Sequence, residues 1–188
     1  MNTASGETVV KALTTEVCYD RRTIRMHWVT AVLMSVLWGI AQIIDLFPKG
    51  APKIAARSVH ITVGLVLGIL LVMRIAWRSR SGRKLPPANP GVPGYVARTV
   101  HLTLYAGLAA VIVLGLVNAW ARGDSIFSLF HIPKLLPATQ LKPTMERLHK
   151  TFANALMILA AAHALAAVVH HFILRDEVLR RMLPKPHD

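Results

Sequence analysis

The sequence predicts an all-α membrane protein, a bundle of four transmembrane helices with both chain ends on one side of the bilayer. Three observations carry this. The 188 residues are 54% hydrophobic and 16% charged, with a mean hydropathy of +0.46. The apolar content sits in four stretches of roughly twenty residues or more, enough to cross a bilayer, and these largely lack the polar face of a soluble helix. The Lys and Arg residues crowd into the segments between those stretches, where membrane topology puts them. The net charge of +13 therefore reflects membrane orientation, and a nucleic-acid role is excluded. A single cysteine, Cys18, rules out an internal disulfide framework.

Residues 1–20 are small, polar and weakly patterned, and are expected to be a mobile tail. No apolar core near the start suggests a signal peptide. Residues 21–188 then form one membrane domain. Its first span is expected at 26–46, with His27 and Trp28 just inside. A loop broken by Pro48, Gly50 and Pro52 leads to the second span at 59–77, where His60 is followed by Gly64 and Gly68 on the same face. Glycines there leave room for a neighbouring backbone or a flat ligand. Arg74 and Arg78 near its end are expected to snorkel to the surface. A Pro/Gly-rich segment precedes the third span at 95–120, which carries His101 and Tyr105 near its start. The longest loop follows, with room for one short interfacial helix. The fourth span is expected at 148–174, and a basic, amphipathic tail then lies on the membrane surface. The N-terminal tail, the segment between spans two and three, and the C-terminal tail hold 14 of the 22 Lys and Arg residues; the other two loops hold 8. The richer side is expected to be cytoplasmic, an N-in, C-in topology.

The fourth span is the informative one. His149, His163 and His170 follow each other at 14 and 7 residues. At about 100° per residue these steps fall within roughly 40° and 20° of whole turns, so the three imidazoles share a stripe and His171 points elsewhere. Ionisable side chains inside a membrane mark function by default. His60 and His149 begin their spans on the outer side, and His27 and His101 begin theirs on the inner side. His163 lies roughly 21 Å below His149. A structural zinc site would gather four ligands, usually with cysteine. Histidines divided between two depths of a four-helix bundle, with glycines beside them, suit two bis-histidine haems stacked across the membrane. From the outer boundary His163 is roughly 21 Å down, His27 roughly 27 Å and His170 roughly 32 Å, with His101 near His27. Spacing alone leaves His163, His170 and His101 open as inner ligands.

The stretches RMHW at Arg25, VHITVG at Val59, VHLTLY at Val100, LHKTFAN at Leu148 and HALAAVVHHFILRDEVLRRMLP from His163 resemble the bacterial cytochrome b-561 family. The resemblance covers nearly the whole chain after residue 19. It implies two haems b, the outer between His60 and His149 and the inner between His27 and His163, in a multi-pass protein of the bacterial inner membrane. It also implies oxidation of superoxide to dioxygen at the outer face, with ubiquinone as electron acceptor. Lys53, Arg57, Lys142, Arg147 and Lys150 flank the outer histidines and have the right sign to draw in superoxide. His170 and His101 are spare imidazoles for a quinone headgroup, with Trp28 to pack against its ring. His131 and His187 read as surface residues. The competing reading is a membrane anchor that relays electrons between quinone and a peripheral dehydrogenase or hydrogenase, with the basic rim as docking patch. A helical transporter without haem is disfavoured by the paired histidine depths.

Overall fold

A computed structural model describes residues 18–133 and 141–183. Four long helices dominate it: α1 (Arg21–Ile43), α2 (Ala51–Arg80), α3 (Val92–Arg122) and α4 (Leu141–Val169). All four, with the turns that extend α1 and α4, are long and apolar enough to cross a membrane. A 3-10 turn, Ile44–Leu46, extends α1, and a π-helical turn, His170–Leu174, extends α4. Contacts join α1 to α2, α2 to α3, α3 to α4, and α4 back to α1. This is an antiparallel ring in which α2 and α4 are diagonal partners, as are α1 and α3. One end of the bundle carries residues 18–20, 81–91 and 175–183, and is here the termini face. The other carries residues 44–50 and a two-stranded hairpin, β1 (Ser125–Ile126) paired with β2 (Phe130–His131), and is the hairpin face.

The core is thin. Leu37, Leu67, Leu71, Leu108 and Leu156 close around the bundle axis, with Leu33, Met34, Val63, Leu104 and Ile112 packed on them. Most other large apolar side chains face outward, among them Val32, Ile69, Val72, Leu102 and Ile158. Such a surface suits lipid and not water. A Cβ at Gly107 would stand 3.0 Å from Leu156 Cδ1, so glycine there sets how closely α3 and α4 approach.

The helix ends differ from the sequence expectation in instructive ways. Pro52 begins α2 and does not break it. Gly50 turns the chain at φ +101° and Pro52 occupies the first turn, where a missing N–H costs nothing. Helix α2 thus starts at Ala51, not near residue 59. Gly91 and Pro93 start α3 the same way. The region of the expected interfacial helix contains the hairpin, and residues 134–140 lie outside the described residues. Ser58, fully buried, pins that hairpin: its hydroxyl accepts the Phe127 N–H at 2.8 Å and donates to the Ile54 carbonyl at 2.8 Å.

At the termini face Cys18, Tyr19 and Asp20 make defined contacts; residues 1–17 lie outside the described residues. Asp20 caps α1, accepting from the Thr23 N–H at 2.9 Å and the Thr23 hydroxyl at 2.7 Å. It also accepts from the Trp77 indole at 3.0 Å and the Arg83 N–H at 3.1 Å, joining α1 to the end of α2. The C-terminal segment is clamped to the bundle: Trp28 Nε1 donates to the Met182 carbonyl at 2.7 Å and Arg181 to the Pro86 carbonyl at 2.7 Å. Burial opposes ionisation of Asp20, but the hydrogen bonds from Thr23, Arg83 and Trp77 outweigh it and bring the carboxyl down to about 2. The folded value is below the unfolded one. This contribution is therefore present above the ordinary aspartate range and is lost as pH falls through about 2. Asp20→Ala is expected to cost about 1 kcal/mol through the lost cap alone. Thermal unfolding in detergent, compared with wild type at neutral pH, checks it; an unchanged transition would contradict it.

Candidate functional site

The histidines gather at two levels. Toward the hairpin face, His60 of α2 and His149 of α4 meet across the bundle axis, ring centroids 6.2 Å apart and planes at 85°. His149 sits where it does because α3 receives it. Its Nδ1 donates to the Val111 carbonyl at 3.0 Å, and a Cβ at Gly115 would stand 3.0 Å from its Cε1. A proton on Nδ1 leaves the Nε2 lone pair free, the tautomer that a metal-binding imidazole needs. The His60 ring approaches the Leu37 carbonyl, while its Nδ1 is buried with no partner among the described residues. A buried polar atom without a partner needs an explanation, and a bound ligand is one. Gly39 and Gly64 face open space, with nothing within 4 Å of a would-be Cβ.

These features fit a haem held by two imidazoles. His60 and His149 would hold the iron between them, each ring lending one nitrogen, and their facing rings leave room for it. Among the described residues no three His, Cys, Asp or Glu side chains gather to hold an ion by themselves.

Toward the termini face, His163 of α4 lies closest to His101 of α3, centroids 5.2 Å apart and planes at 72°. His27 of α1 is near enough to interact electrostatically with both. So the structure brings His27, His101 and His163 into one layer, while His170, also open by spacing, is held outside it by Asp176. His27 Nδ1 accepts from Arg74 Nη2 at 3.3 Å, and the Arg74 guanidinium lies 5.2 Å from the Tyr105 ring centroid. This corrects the expectation that Arg74 snorkels outward: it turns into the bundle. Trp28 stands edge-on to His27 at 5.6 Å, but its indole N–H is taken by Met182.

His170 opens the π-helical turn and hands its Nδ1 to Asp176 Oδ2 at 2.5 Å. Asp176 also accepts from Asn89 Nδ2 and the Val178 N–H, each at 3.1 Å. Burial opposes ionisation of Asp176, but these donors, His170 first, hold the carboxyl below its ordinary value. His171 packs edge-on against Phe172 instead. His131 is exposed on β2, and His187 lies outside the described residues.

The basic rim is less free than its sequence suggests. Lys53 pairs with Asp45 at 2.9 Å, Asp45 with Lys150 at 3.3 Å, and Lys150 with Glu146 at 3.1 Å. Glu146 meets Arg122 at 3.8 Å, Arg122 meets Asp124 at 3.0 Å, and Asp124 meets Arg57 at 3.9 Å. Charges of alternating sign thus run around the mouth of the bundle from α2 through α4 and α3 back to α2. Four cations against three carboxylates leave it positive. Arg147 and Lys142 are exposed and make no ion pair among the described residues. Sequence reasoning missed Arg122, which lies close enough to His60 and His149 to act on both electrostatically; its place in the last turn of α3 was the available signal.

A four-helix membrane bundle with facing imidazoles at two depths defines a membrane-embedded b-type cytochrome. The chain belongs to the prokaryotic cytochrome b561 family, whose pattern matches residues 18–185. It is 29% identical over 171 residues to cytochrome b561 homolog 1 of Escherichia coli K12, covering 89% of this chain and 97% of that protein. It is 30% identical over 169 residues to cytochrome b561 homolog 2 of the same organism, covering 85% and 87%. It is 27% identical over 172 residues to a protein named probable superoxide oxidase CybB in Yersinia pestis, covering 89% and 96%. Membership makes this a haem b-binding electron-transfer protein with several spans in the bacterial inner membrane.

Proposed function

We propose that the protein carries electrons across the membrane between two haems b, oxidising superoxide at the hairpin face and reducing ubiquinone at the termini face. The observation that carries the reading is the His60–His149 pair, whose separation and tautomer suit axial ligation. The resemblance assigns the second pair to His27 and His163, leaving His101 beside it. The termini face is then cytoplasmic, by its excess of Lys and Arg. Bound haem supplies a one-electron carrier.

The chain's own residues do the rest. Val111 and Gly115 orient His149. The hairpin-face rim raises the local concentration of a small anion, and Lys49, Lys53 and Arg57 line a shallow hollow of about 270 Å³ there. Asp176 accepts from His170 Nδ1 and orients the ring, so that His170 Nε2 can meet a quinone carbonyl and exchange a proton there. In balance, two superoxide ions, one ubiquinone and two protons give two dioxygen and one ubiquinol. The similarity to a probable superoxide oxidase supports the donor.

Arg147 is the cleanest probe of the funnel, because Lys150 is tied to Asp45 and Glu146. Arg147→Glu should slow haem reduction by superoxide several-fold at low salt and flatten its ionic-strength dependence. A rate and salt dependence equal to wild type would refute steering by this rim. His170→Ala should block reoxidation by ubiquinone with both haems kept, and Asp176→Asn should slow it.

A second reading has its own observation. The ion-paired rim surrounds a hairpin whose Leu129 and Phe130 are 77% and 71% exposed. A peripheral redox enzyme docking there would make the chain its membrane anchor. Haem reduction by superoxide no faster than undirected encounter would favour that reading.

A further inference from the structure

Two partly buried arginines stand beside the histidine layers, and they are not equivalent. Arg122, at the hairpin-face layer, is matched by the protein: Asp124 at 3.0 Å and Glu146 at 3.8 Å. Arg74, at the termini-face layer, makes no ion pair among the described residues. The carboxylates described at this face are engaged elsewhere, Asp20 by Thr23, Trp77 and Arg83, Asp176 by His170 and Asn89, and Glu177 by Arg180. Among the described residues Arg74 has the His27 Nδ1 lone pair and the Tyr105 side chain as its partners. A partly buried guanidinium without an anion is costly, so a site of this kind is built for an anion that arrives.

The His27 contact also says when that anion is needed. Arginine only donates, so His27 Nδ1 must accept and its proton must sit on Nε2. An imidazole that binds a metal through Nε2 carries its proton on Nδ1. The two arrangements exclude each other. If His27 ligates through Nε2, Arg74 loses its acceptor and must turn to another, pivoting on Tyr105.

We infer that Arg74 is the counter-ion for a propionate carboxylate of the haem held in the termini-face layer, set in place as His27 exchanges its hydrogen bond for iron. The inference rests on the two-haem reading above. Haem brings two carboxylates of its own, and guanidinium matches a carboxylate in charge and in its fork of donors.

The test is an equilibrium redox titration of the purified wild-type, Arg74→Gln and Arg74→Lys proteins, with haem content measured on each. Losing a cation beside a propionate favours the oxidised haem, which carries one more positive charge. Arg74→Gln should lower one midpoint by about tenfold in the oxidised-to-reduced ratio, or 59 mV for a one-electron couple. The other midpoint should stay, and Arg74→Lys should keep most of the wild-type value. Selective loss of one haem in Arg74→Gln with retention in Arg74→Lys would support the same conclusion. Unmoved midpoints with full haem would overturn it, as would equal haem loss in both variants, which would make Arg74 a packing residue against Tyr105. A wild-type protein without two resolvable haems would instead show that the two-haem reading had failed.

Discussion

His149→Ala is expected to remove one haem and with it about half of the reduced α-band, while the protein still inserts and folds. The size of the effect follows from how much converges on this side chain. It faces His60 across the bundle axis at 6.2 Å, and the Val111 carbonyl fixes its tautomer. In the proposed assignment alanine removes an axial ligand outright, and among the described residues no other histidine ring is paired with His60. His60→Ala should give the same spectrum for the same reason. The double variant should lose no more haem than either single, because both act on one site. Absorbance spectra normalised to protein measure this; unchanged haem content in either single variant would contradict the assignment.

The second large effect separates His27 from His101. His27→Ala is expected to remove the other haem, and His101→Ala to leave both in place. The structure makes this a sharp test, because His163 lies nearest His101, at 5.2 Å. His27 carries the assignment through the family resemblance, and its contact with Arg74 shows that its ring turns into the bundle. The spectra of the two variants, read beside His163→Ala, decide it. Loss of the haem in His101→Ala, with His27→Ala unaffected, would transfer the ligand role to His101 and leave His27 as a partner of Arg74.

Much of this architecture was legible in the sequence because the bilayer constrains it so tightly. Span length, charge placement and the 14-residue interval from His149 to His163 need only helix geometry and the cost of burying ionisable groups. What was illegible depends on groups distant in sequence. Arg74 near a helix end reads as a snorkelling residue; its inward turn is set by His27, 47 residues earlier, and by Tyr105. The rim reads as five free cations, because Asp45, Asp124 and Glu146 come from three separate segments that meet only when the bundle closes. Pro52 reads as a breaker until Gly50 supplies the left-handed turn that makes it a helix start. The Asp176 link to His170 is only 6 residues long, yet it depends on a π-helical turn that periodicity does not forecast.

Each of the two histidine layers is proposed to hold a haem. The most direct measurement is haem b per polypeptide in the purified protein, by pyridine haemochrome against quantitative amino-acid analysis, with low-temperature EPR of the oxidised form. Two haems per chain are expected, both low-spin as bis-imidazole ligation requires. A single haem per chain would leave one layer without its ligand, and a high-spin signal from intact protein would contradict the paired axial histidines.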